Sequence, residues 1–156
     1  MRRIRPVLWW LAPALLALTA VPIAAAPPVV ILAGVGIGPV SIGMRAAAVA
    51  PTLGLQATPK LSGNSVVYEY RKVGLTVWAR DDQVIRVATS NPFHKTPTGV
   101  RPGQIWTDAL LSVCRGAALI EEIPRGFEAR CPFVGIAFRV ADGKVGAISV
   151  FRAARK

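Results

Sequence analysis

Between residues 65 and 89, and again between 127 and 151, apolar and polar side chains alternate with a period of two, as strands with one buried face do. In the first stretch Leu75, Val77 and Ala79 share one side, with Thr76, Trp78 and Arg80 on the other. In the second, Ile136, Phe138 and Val140 oppose Ala137 and Arg139. Strands are predicted over 65–71, 75–80 and 84–89, and over 127–131, 136–141 and 145–151. Asp142-Gly143 signals a two-residue hairpin because both positions accept positive φ, and Asp81-Asp82 is a weaker version at the equivalent place. Ahead of these strands, Val29 to Ala33 is an apolar run suited to an edge or buried strand, and Gly34 to Pro39 is a flexible entry to Val40-Ser41-Ile42. Alanine-rich Met44 to Ala50 should be helical, stopped or kinked by Pro51 and terminated at Gly54. A turn cluster follows at 58–64. A second helix is expected over 107–115, capped by Thr107, with Leu110, Leu111 and Cys114 inward, and an irregular strand over 117–123.

The alternating stretches also repeat one another. Gly74-Leu75-Thr76-Val77-Trp78-Ala79-Arg80-Asp81-Asp82-Gln83-Val84 aligns without a gap on Gly135-Ile136-Ala137-Phe138-Arg139-Val140-Ala141-Asp142-Gly143-Lys144-Val145. Upstream, Tyr68-Glu69-Tyr70-Arg71 answers Phe127-Glu128-Ala129-Arg130, and Ile42-Gly43-Met44 answers Pro102-Gly103-Gln104. The expected fold is therefore α+β: two tandem repeats of a short helix followed by a three-stranded antiparallel meander, able to join as one sheet. The expected divisions are a signal peptide at 1–25, an apolar, Gly-rich segment at 26–39, repeat 1 at 40–90, a linker at 91–101, repeat 2 at 102–151 and a basic tail at 152–156.

This order, with Gly43-Met44 entering a helix that ends in Leu53-Gly54, resembles the beta-lactamase-inhibitor-like and BamE-like small exported proteins. Pro51 inside the helix, Gly103-Gln104 in place of Gly-Met and the lack of a cysteine after the apolar leader depart from that pattern. The resemblance implies binding of another protein through the exposed face of the sheet, and it suggests an inhibitor of an exported hydrolase as an alternative.

Charge and cysteines set the surroundings. Arg2, Arg3 and Arg5 precede an apolar run from Val7 to Ile23, the form of an export signal cleaved after Ala25, with a retained anchor as the alternative. Without those three arginines, 16 basic residues face 8 acidic ones, leaving a net charge of about +8. These cations are scattered singly and not interleaved with aromatics, so a nucleic-acid groove is not expected. An exported or envelope protein partner, possibly an acidic one, fits better, in a periplasmic or secreted protein with no membrane span once the signal is cleaved. Cys114 and Cys131, the sole cysteines, are expected to form a disulfide.

No catalytic constellation stands out, and neither metal nor cofactor is expected. His94 lies in a proline-punctuated connector and reads as solvated linker. Glu69 with Arg71 and Glu128 with Arg130 read as surface ion pairs. The candidate partner-binding residues are Trp78, Arg80, Trp106 and Arg139, since tryptophan and arginine anchor interfaces; for the tryptophans, covering the core is the competing role. A non-enzymatic binder is the leading function, ahead of a small hydrolase built on His94 and the glutamates.

Overall fold

The computed structural model describes residues 29–107, 113–114 and 118–155. The leader expected at 1–25, with Arg2, Arg3 and Arg5, lies outside them, as does most of the second helix expected at 107–115.

Three short strands come first: β1 (Ile31–Leu32), β2 (Gly36–Ile37) and β3 (Val40–Ser41), paired in that order. Helix α1 (Ala46–Leu53) follows, and then two groups of four strands. The first group is β4 (Pro59–Ser62), β5 (Ser65–Tyr70), β6 (Leu75–Arg80) and β7 (Gln83–Thr89); the second is β8 (Leu119–Ile123), β9 (Gly126–Cys131), β10 (Ile136–Ala141) and β11 (Lys144–Phe151). All eight form one antiparallel sheet in the order β4-β5-β6-β7-β11-β10-β9-β8.

The expected α+β arrangement of two helix-plus-meander units is thereby corrected. The described chain is mostly β, with an eight-stranded sheet, a three-stranded sheet and one helix. Each half supplies four strands to the large sheet. The turn cluster expected at 58–64 holds β4, with only Gly63 and Asn64 turning. Helix α1 also runs through Pro51 and stops at Gly54, whose φ of 63° ends it in a left-handed cap. Proline removes the hydrogen bond that would reach the Ala47 carbonyl. Ala47 is exposed, so water can take that place.

One face of the sheet carries the core. Val77, Val87, Phe138, Ile148 and Val150 are fully buried there, covered by Ile31, Ile37 and Val40 of the small sheet and by Val49 of the helix. The disulfide Cys114–Cys131 joins the segment before β8 to the end of β9 and fits an oxidising compartment. No helix among the described residues is long and apolar enough to cross a membrane.

Backbone bonds recur between the halves. Gly43 N donates to Val84 O, and Gly103 N to Val145 O, both at 2.7 Å. Val84 N returns a bond to Met44 O, and Val145 N to Gln104 O, both at 2.8 Å. A register shift lies between Trp78 and Ala79 on β6 and between Arg139 and Val140 on β10, the positions that the sequence alignment equates. Asp81 and Asp82 turn with φ of 51° and 56°, Asp142 and Gly143 with 50° and 69°. The halves meet where β7 pairs with β11, and there Ala88 stands opposite Ser149.

A candidate interaction face on the outer side of the sheet

The residues that alternate with the core point to the other face. Trp78 on β6 is directly opposite Arg86 on β7, and the Arg86 guanidinium carbon lies 5.2 Å from the centroid of the Trp78 ring. Arg86 Nη2 donates to Ser149 Oγ at 2.8 Å and to Glu128 Oε2 at 3.1 Å. Its Nε is buried with no hydrogen-bond partner, a cost that the negative face of the tryptophan ring partly offsets. Glu128 also accepts from Arg130 at 2.9 Å, and Arg130 lies 4.0 Å from Glu121 at the sheet edge. One chain of alternating charge thus joins the halves.

That chain reports the shape of the face. Arg86 and Glu128 sit three strand steps apart, on β7 and β9, and their rows meet β11 at Phe151 and Ala147, four residues apart. In a flat sheet such positions would be roughly 19 Å apart, beyond the reach of the two side chains. Their contact requires a coiled sheet that is concave toward this face along that diagonal. Burial agrees: Ala137 and Ser149 belong to this face, away from the core, yet are only 1% and 3% exposed. Small side chains at Ala88, Ala137 and Ala147 leave room for Arg86 to lie along the sheet.

Glu128 is accordingly no surface ion-pair member, since its side chain is only 13% exposed. Burial alone would raise its pKa, but the hydrogen bonds and charges of Arg130 and Arg86 together outweigh that and hold the carboxyl below its ordinary range. Glu69 is different. Bonds from Lys60 at 3.2 Å and Arg71 at 3.3 Å lower its pKa, on a side chain that is 36% exposed.

The other expected site residues separate. Arg80 and Arg139 lie on the outer face, are exposed and form no ion pair among the described residues. They occupy opposite ends of it, Arg80 beside the β6–β7 turn and Arg139 on β10 between Glu128 and Ala147. Trp106 is on the core side, edge-on to Phe127 at 5.3 Å and tilted against Phe138 at 5.9 Å. It covers the core and shares no surface with Trp78.

His94 corrects its expectation. It is 5% exposed, and its Nδ1 lies 2.7 Å from Thr89 Oγ1 on the core side of β7. Thr89 Oγ1 also accepts the Asn91 amide at 3.1 Å, which ties the histidine to the start of the connector. Desolvation lowers the histidine pKa. The connector is ordered because it folds back: Lys95 pairs with Val30, exchanging bonds with Val29 and Ile31. Sequence reasoning missed Arg86, Ser149 and the linking role of Glu128. Arg86 interrupting the apolar positions of β7 was the available signal.

No family model and no curated protein matches the chain. Among solved structures, it is similar to the crystal structure of the uncharacterized protein YfeY from Escherichia coli, at 18% identity and a TM-score of 0.52, over 78% of this chain and 99% of that one. That likeness bears on the fold alone.

Proposed function

We propose that this protein is exported and works as a non-enzymatic binder, holding an envelope or extracellular protein against the concave outer face of its sheet. The observation that carries this reading is the Trp78–Arg86 stack on a coiled face, with the exposed cations Arg80 and Arg139 on either side. Aromatic and arginine side chains fixed by their neighbours lose little freedom on docking, which suits interface anchors. The basic leader and the disulfide support export, and the recurring bonds and turns support an internally duplicated unit. His94 lies across the sheet from the Glu121–Arg130–Glu128 chain, so a hydrolase built on these groups has no support in their placement.

Capture from an envelope extract by immobilised protein at low and high salt tests this function. A saturable protein that survives high salt and is lost on Trp78→Ala or Arg80→Ala is expected. Capture unchanged in both variants would remove this face from consideration.

A further inference from the structure

Both edges of the large sheet are open. Among the described residues no strand lies beyond β4 or β8, and every residue of the two is exposed except the half-buried Ile123. All pairings in the sheet are antiparallel, so across eight strands the two edges run in opposite directions. A second copy set beside the first in the same sense therefore brings its β8 antiparallel to β4.

Backbone, apolar surface and charge choose the same register for that pairing. β4 turns into β5 through Gly63 and Asn64, and β8 into β9 through Pro124 and Arg125, with Ser62 opposite Ser65 and Ile123 opposite Gly126 closing the loops. Closing residues of a two-residue hairpin bond to each other and the pattern alternates along each strand. Pro59 and Leu61 on β4, and Ile120 and Glu122 on β8, thus turn their backbone groups outward. Setting Leu61 opposite Ile120 and Pro59 opposite Glu122 matches those groups. Leu61 and Ile120 would exchange two bonds, while Pro59, lacking an N–H, would only accept one from Glu122.

Side chains agree with that register. Leu61 is 87% exposed and Ile120 56%, and both lie on the core side of their strands, opposite Val66 and Ala129. Across the seam they become direct neighbours. On the outer side Lys60 falls opposite Glu121. Within one copy Lys60 bonds Glu69 at 3.2 Å, and Arg130 lies 4.0 Å from Glu121, so the alternation of charge continues from copy to copy. Pairing β8 with β8 would instead gather Glu121 and Glu122 of both copies, and β4 with β4 would bring two lysines together.

We infer that this protein associates with itself head to tail, β8 of one copy adding to β4 of the next. Such an interface is heterologous and leaves a free edge at each end, so copies build chains or rings beyond the dimer. The inference rests on the sheet edges alone, and it and the outer-face reading can fail separately.

Sedimentation velocity over rising protein concentration tests it, with Leu61→Pro and Ile120→Pro run alone and mixed. Proline at an outward position removes a seam donor and spares the bonds inside the sheet. Leu61→Asp and Ile120→Lys, at exposed positions and repelled by the charges facing them, repeat the experiment should a proline variant not fold. The unaltered protein should grow past the dimer, and each variant should stay monomeric alone. Their equimolar mixture retains one intact edge of each kind and should form a one-to-one dimer that grows no further. An unaltered protein that stays monomeric to its solubility limit, a variant that associates alone as well as the unaltered protein, or a mixture that fails to pair would overturn the seam.

Discussion

The two halves of the large sheet share hydrogen bonds, turns and register shifts but differ on the outer face. Trp78 in the first half corresponds to Arg139 in the second and Arg86 to Ala147, while strand pairing sets Glu69 against Arg130 and Val67 against Glu128, two residues away from the sequence match of Glu69 with Glu128. Core positions stay apolar through the same comparison, Val77 against Phe138 and Val84 against Val145. The frame tolerates one set of changes because alternation confines them to the other side. The asymmetry also has a mechanical result: Arg86 spans the seam because Ala147, its counterpart, leaves space, and no equivalent arm returns from the second half.

The sharpest way to break this comparison is to remove one carboxylate charge from each half. Glu128→Gln leaves Arg86 and Arg130 without their shared anion in a largely buried setting, and should lower stability by about 2 kcal/mol in urea denaturation. Glu69→Gln, on a solvated carboxylate, should leave the midpoint unchanged. Equal effects would mean that the seam network carries no special weight.

A smaller effect separates the two sides of the sheet by pH. His94 has a lowered folded pKa, so the unfolded chain binds its proton more readily, and stability rises with pH through that window. The contribution is present above about pH 6.5 and is lost as pH falls below it, with a slope of at most about 1.4 kcal/mol per pH unit for one proton. Glu128, whose folded pKa is depressed, acts lower: its contribution is present above pH 4.5 and lost as pH falls below that. His94→Asn keeps a hydrogen-bonding group near Thr89 and removes the titration, so thermal melts between pH 7 and 5 should flatten. An unchanged slope would exclude His94 as its source.

The smallest change makes the two hairpins more alike. Asp82→Gly gives the first turn the Asp-Gly pair of the second, relieving a non-glycine residue at φ 56°. It should raise stability by up to about 1 kcal/mol in the same urea titration.

The strands of β5–β7 and β9–β11 were legible because a half-buried strand must alternate, and the faces of Leu75, Val77, Trp78 and Ile136 follow from that rule. β4 was not, since Pro59, Gly63 and Asn64 are turn formers by local preference and pairing with β5 overrides that preference. Pro51 misled for a related reason, the lost bond being one that solvent can replace. His94 was unreadable because its burial depends on Lys95 pairing with Val30, more than 60 residues away. The Arg86–Glu128 contact depends on sheet curvature, which no run of residues displays, and Trp106 could be placed only once the segment before β8 was seen against Phe127 and Phe138.

Among the strand pairs of the large sheet, all but one join neighbours in sequence, closing through short turns; β7 with β11 joins Arg86 to Phe151 across more than 60 residues. Local hairpins close fast and distant ones slowly, because the chain loses more freedom before the contact repays it. Pairing at the seam is therefore expected to follow closure of the hairpins it joins. Substitutions at Ala88 or Ser149 should act chiefly on the lifetime of the native state and leave the rate of its formation nearly untouched.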